Sequence, residues 1–194
     1  TPASGGSVQL DGRSITGVNR RVGYITQQDN LFPWRTLRDN VALALEIAGT
    51  GPKERREKAE YWLARVGLGE FGDAYPHELS GGMRQRVSIV RTLIYEPPVI
   101  LMDEPFGPLD AQTRIVLQDM LLSIWETARP TIVFVTHDLT EAIALADRVL
   151  LMSARPGRIV REDGVGIPRP RNIFQIHENS EFRRLYSEIW NELR

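Results

Sequence analysis

The sequence has no cysteine, two lysines and no long apolar run, and each scarcity removes a class of protein. Without cysteine there is no disulfide framework and no thiolate metal site, which fits a reducing compartment. Lys53 and Lys58 are the only lysines, so basic charge is almost wholly arginine. A net charge of −1 leaves no global attraction to nucleic acid or to an anionic membrane surface. The apolar stretch "VALALEIAG" is broken by Glu46, and "AIALADRVLLMSA" by Asp147 and Arg148. Both fall short of the roughly 20 residues that a membrane-spanning helix needs. The opening "TPASGGSVQLDG" lacks methionine and the charged and apolar regions of a targeting segment, so it reads as a piece of a longer protein.

What is present is ordinary globular material: 194 residues, 42% hydrophobic and 25% charged, enough for one domain or a domain with a satellite. Residues 7–10 and 21–26 read as short strands around the turn-rich "DGRSITGVN". Helices are expected over 37–48 and 53–66, the second with Ala59, Trp62, Leu63 and Val66 at helical spacing. Ser80 reads as the N-cap of a helix over 81–96, ended by Pro97 and Pro98, with Met83, Val87, Val90 and Ile94 as its stripe. Strand 99–102, helix 111–128, strand 131–135, helix 139–146 and strand 148–152 follow. Alternation of helix and strand is the signature of a parallel α/β sheet. After "PRPR" the tail ends in an amphipathic helix with Phe182, Leu185, Ile189 and Leu193 on one face.

The stretch "VILMDEP", 99–105, runs four apolar residues into Asp103 and Glu104. It reads as a strand buried on both faces, and ligands of parallel sheets bind beyond such strand ends. Thr136 and His137 follow "TIVFV" at the same edge. A magnesium ion held by one carboxylate and phosphate oxygens would satisfy Asp103, leaving Glu104 to polarise a water. The alternative is a pair of solvated loop acids and a structural histidine. Ser80, Gly81 and Gly82 open a helix whose free amides and dipole suit an anion; alone, "SGG" reads as a plain cap.

In order, "LSGG", a helix, "ILMDEP", "LD" at 109–110 and "VTHD" at 135–138 closely resemble the ATP-binding subunit of an ABC transporter. The resemblance runs over essentially the whole chain. It implies an α/β, P-loop NTPase-like ABC ATPase domain, mostly parallel sheet with a helical subdomain, here lacking the amino-terminal strands and P-loop. Residues 38–96 would be the helical signature subdomain and 165–194 the carboxy-terminal tail and helix, within a partial ATPase domain over 1–194.

By the same resemblance Gln27 in "GYITQQ" stands where the family contacts Mg²⁺ and the attacking water. Ser80, Gly81 and Gly82 stand in the signature motif, with Met83 where glutamine is frequent. Asp103 matches the metal-binding acid, Glu104 the catalytic base, Asp110 the D-loop and His137 the switch histidine. Phe32, Pro33 and Trp34, beside Gln27, lie where the family receives a helix of the membrane subunit. The cofactors implied are ATP and Mg²⁺. The partners implied are a second ATPase subunit, in a homodimer, integral membrane permease subunits and, indirectly, a periplasmic or lipid-anchored solute-binding protein; no nucleic acid is implied. The place implied is peripheral, on the cytoplasmic face of the membrane. "LFPW", "FGPLDAQTR", "LMSARPGRI" and the "PRPR…F…LY…IW" tail are similar to the nitrate, sulfonate and taurine importer subgroup.

Length supports the head-to-tail dimer that the resemblance implies: a 16-residue helix spans roughly 24 Å and a five-residue strand about 17 Å, so the signature end overshoots its own sheet edge. One departure stands out. The P-loop, GxxxxGK[ST], is absent, since Lys53 precedes glutamate and Lys58 alanine; in the family it would lie just upstream of Thr1. Such a chain is expected to leave a sheet edge unpaired and apolar surface bare. Two other readings remain: a soluble ATPase of the superfamily acting in DNA repair or on the ribosome, and a non-catalytic interaction module.

Overall fold

The computed structural model describes residues 5–15, 17 and 19–193. The chain opens with a hairpin of β1 (Gln9–Leu10) and β2 (Arg13–Ser14). Its two turn residues, Asp11 and Gly12, both have positive φ, 49° and 74°, the geometry a two-residue turn needs to match strand twist. Expected strand 7–10 thus shrinks to two residues.

The central sheet has three parallel strands in the order β3 (Val22–Ile25), β4 (Val99–Asp103), β5 (Thr131–Val135). Between β3 and β4 the chain makes three helices, α1 (Leu37–Ile47), α2 (Pro52–Arg65) and α3 (Gly81–Leu93). Their starts are written locally: Thr36 caps α1, Pro52 opens α2, and Ser80 Oγ accepts from Met83 N in α3. Then come α4 (Ala111–Ala128), capped by Asp110, and α5 (Leu139–Leu145), capped by Asp138.

Helix α3 lies against the sheet closely enough that β3 needs a glycine. A Cβ on Gly23 would come 2.7 Å from Thr92 Cγ2 and 3.0 Å from Pro97 Cγ. Ile25, Ile100 and Met102 are buried on that side, in one core with Val87, Ile89, Val90, Leu117 and Leu121. Along α3 the buried set runs from Gln85 through Val90 almost without a break, wider than one stripe.

Two expectations are corrected here. Strand β4 is not buried on both faces. Tyr24, Leu101 and Val133 form one cross-strand row, are 56%, 37% and 51% exposed, and Val135 beside them is equally open. Only one face of this sheet is covered by helices among the described residues, so its strands alternate instead of running fully buried. Among the described residues strand β5 pairs on one side only, with β4.

The 148–152 segment forms β6 (Arg148–Met152) but does not extend the parallel sheet. It pairs antiparallel with β7 (Ile159–Gly164) in a separate two-stranded ribbon. The sequence "IVREDG" of β7 carries three charges in six residues, yet Arg161 bridges Asp163, Glu188 and Glu192 and so ties it to α6 (Ser180–Glu192). Arg169 and Arg171 of "PRPR" fix the tail to the end of α5. Arg171 is buried and donates to the carbonyls of Ala144 and Ala146, while Arg169 stacks on Trp125 at 4.0 Å and pairs with Asp147.

Candidate functional site

The parallel register brings the carboxyl ends of β3, β4 and β5 side by side, and Gln27, Asp103, Glu104 and His137 stand there. Asp103 pairs in register with Val135, and its carboxylate accepts from Tyr24 Oη at 3.3 Å. Glu104 follows with φ of 45°, a left-handed conformation costing about 1 kcal/mol or more for a residue with a Cβ. Its amide donates to Val135 O at 2.9 Å. The twist turns the side chain toward the next loop, where His137 Nδ1 lies 3.0 Å from Glu104 Oε1. That carboxylate raises the His137 pKa above the ordinary histidine value, chiefly through the hydrogen bond, although the imidazole is largely exposed.

Gln27 joins them across Gly107. A Cβ built on Gly107 would stand 3.2 Å from Gln27 Nε2 and 3.6 Å from Glu104 Oε2. The lack of a side chain there lets the amide and carboxylate approach one another. A small concavity around His137 is lined by Glu104, Gly107, Arg114, Thr136, Asp138 and Glu141.

Ser80, Gly81, Gly82 and Asp110 form a second group outside that concavity. Asp110 Oδ1 accepts from Thr113 N at 2.9 Å, and this backbone bond holds its pKa below the ordinary value. Gly82 abuts Thr113, whose Cγ2 occupies the space a Cβ would need. The start of α3 and the start of α4 are therefore packed together. Gly82→Ala should cost about 1–3 kcal/mol, the usual range for overpacking, because a β-branched threonine cannot swing aside. A thermal melt checks it: adding Thr113→Ser should restore most of the loss, and no restoration would place the strain elsewhere.

Helix α3 is shorter than its expected 81–96, ending at Leu93, with Glu96 turning out at φ of 51°. Its 13 residues give about 20 Å against about 17 Å for β4. The length argument for overshoot thus loses most of its margin.

Phe32, Pro33 and Trp34 form a third group. Trp34 is 71% exposed, and its ring lies 5.3 Å from that of Phe32. Beneath them Asn40 is fully buried. It accepts from Phe32 N at 2.8 Å and donates to the carbonyls of Phe32, Arg35 and Thr36. On the other side Arg84 pairs with Asp29, and Arg91 donates to the carbonyls of Asp29 and Asn30. The arginines of the "LSGGMRQR" helix, off the apolar stripe, thus pin the loop that follows Gln27. A polar residue recurring inside an amphipathic helix, such as Asn40 in α1, is the signal that sequence reading passed over. A larger cavity of about 670 Å³, walled by Trp62, Trp125 and Arg65 among others, contains none of these candidates.

A family model described as "ABC transporter" matches residues 1–107. An ABC transporter ATP-binding protein of Methanocaldococcus jannaschii is 48% identical over 97% of this chain and 69% of its own length. The chain belongs to the ABC transporter ATP-binding family, whose members are ABC-type ATPases. The nitrate import ATP-binding protein NrtD of Synechocystis is 44% identical over 100% of the chain and 74% of its own length. The taurine import ATP-binding protein TauB of Rhizobium johnstonii is 48% identical over 82% and 61%. Among solved structures, the dimeric post-hydrolysis state of the ATP-binding cassette MJ0796 bound to ADP and Pi superposes with a TM-score of 0.71 at 32% identity, over 84% of this chain and 74% of that one. The fold is that of an ABC ATPase, with a parallel sheet and helices.

Proposed function

We propose that this chain carries the catalytic strand ends of the ATP-hydrolysing subunit of an importer for a small anion or organic solute of the nitrate, sulfonate or taurine kind. The carrying observation is the meeting of Gln27, Glu104 and His137 at the ends of three parallel strands; the names of the import relatives supply the solute class. Glu104 is the general base: its carboxylate takes the proton of the water that attacks the terminal phosphate. His137 holds that carboxylate from one side, and the Gln27 amide orients the water from the other.

Magnesium fits this donor set only as a companion of phosphate. Among the described residues no three of His, Cys, Asp or Glu cluster as a cage, whereas Mg²⁺ is commonly held by one or two carboxylates together with substrate phosphates. Asp103 and Gln27 would hold it, and it would neutralise charge on the phosphate. Ser80, Gly81, Gly82 and Asp110 form the surface that a second copy of the subunit completes, with residues 38–96 as the subdomain carrying it.

The subunit works at the cytoplasmic face of the membrane, joined to integral permease subunits and through them to a solute-binding protein. No helix among the described residues is long and apolar enough to cross a membrane. Phe32, Pro33 and Trp34 are the docking surface. The test is ATP-dependent uptake of labelled nitrate, taurine or an alkanesulfonate by vesicles holding the complete transporter. Uptake of none of the three would remove this solute class.

Trp34→Ala should weaken docking without harming the fold. An exposed side chain usually changes stability by no more than about 0.5 kcal/mol, whereas an aromatic interface anchor is worth about 2 kcal/mol or more. Melting of the subunit should stay put while its recovery with permease in a detergent pull-down falls several-fold. A drop in melting temperature with unchanged recovery would make Trp34 part of the subunit's own packing.

A further inference from the structure

We propose that Arg114 is a positioning residue for His137: one guanidinium grips the loop after β4 and the loop after β5 and so sets the imidazole against Glu104. This rests on the reading of Glu104 and His137 as working partners. Arg114 Nη2 donates to Leu109 O at 3.1 Å, at the end of the first loop, and Nη1 donates to Asp138 Oδ2 at 3.2 Å, just past His137. Its Nε is buried with no hydrogen-bond partner, 3.7 Å from Glu141 Oε1.

Glu141 is only 4% exposed. Its carboxylate accepts from Gln118 Nε2 at 3.2 Å and from Thr136 Oγ1 at 2.7 Å, and the same threonine oxygen accepts from Asp138 N at 3.0 Å. Burial pushes the Glu141 carboxyl upward. The residues on both sides of His137 are therefore held from below, while His137 itself is 76% exposed and is engaged through Glu104. An exposed side chain takes its aim from its backbone, and here that backbone hangs from Arg114 and Glu141.

Partly exposed ion pairs such as Arg114–Asp138 add little stability, so placement under two loop ends is better explained by geometry. Arg114 N also donates to Asp110 O at 2.9 Å. The same residue thus meets Asp110 through its backbone amide and the loop of His137 through its guanidinium. Lysine, a compact point charge, lacks the planar fork that spans both loop ends.

The test needs no nucleotide. The chain has three histidines, at 77, 137 and 177, whose imidazole nitrogens can be resolved by ¹⁵N NMR at alkaline pH, where the rings are neutral. A hydrogen bond from Nδ1–H to Glu104 selects the Nδ1–H tautomer of His137, against the Nε2–H form that free histidine favours in water. In the parent chain Nδ1–H should be the major form. In Arg114→Met and in Arg114→Lys it should become the minor form, with His77 and His177 unmoved. If the methionine variant does not fold, the lysine variant gives the same reading.

A parent preference retained in full by either variant overturns the inference, as does a shift at all three histidines, which marks general loosening. A parent already in the Nε2–H form removes the Glu104–His137 pair itself. That outcome sinks the site reading and the inference together, whereas retention in the variants sinks Arg114 alone.

Discussion

Replacing Glu104 by glutamine in the chain extended with an amino-terminal GxxxxGK[ST] segment should lower ATP turnover by about a hundredfold or more, the scale of a lost general base. The amide has the shape of the carboxylate, so nothing need repack around the left-handed backbone at this position. It cannot take a proton from water. Nucleotide should still bind, because the phosphate-holding groups are untouched, and the ATP-bound form should accumulate as a dimer on size exclusion. Turnover is read by phosphate release at saturating Mg-ATP. A variant as fast as the parent would strip Glu104 of this role and leave the short contact to His137 as structural packing.

The legibility of this site follows from where its information lies. Strand β4 announces itself because apolar residues run directly into acids, and its parallel neighbours place Gln27 and His137 by register alone. The cap at Ser80 was equally legible, since it satisfies an amide within three residues, a purely local relation. What escaped was non-local. Strand β7 pairs with β6 and is tied by Arg161 to acids on α6, far along the chain, and no periodicity in "IVREDG" reports that.

The alternation of burial in β4 escaped for a related reason. "VILM" is apolar on both faces, but only the side carrying Ile100 and Met102 meets helices, leaving Leu101 in the open row with Tyr24 and Val133. The helix over 81–96 ends at Leu93: the residue before Pro97 is disfavoured in the α region, and Glu96 takes a positive φ instead, with Pro97 packed over Gly23. Arg114 and Glu141 were invisible as a pair because 27 residues separate them and each alone is an ordinary helix charge.

Residues 1–194 by themselves should show no saturable ATP binding at micromolar concentration and no turnover above that of the Glu104→Gln chain. Micromolar affinity corresponds to about 8 kcal/mol. The family's phosphate cradle supplies a large share of this through a lysine and a nest of loop amides, and neither lysine here stands in that motif. What the chain offers instead is small. The start of α3, as an anion site, is worth about 1 kcal/mol, rising to about 2 where partly buried, and Ser80 and Gly81 are exposed. Asp103 and Glu104 repel a polyanion until a cation intervenes. Arg114, the cation bordering the concavity, already donates to Leu109 O and Asp138. The bare row of Tyr24, Leu101 and Val133 adds a tendency to self-associate, so the measurement is isothermal calorimetry with Mg-ATP on material first shown to be monodisperse. A flat trace is expected. A clean one-site isotherm in the micromolar range would mean that this chain holds phosphate by groups other than those of its family.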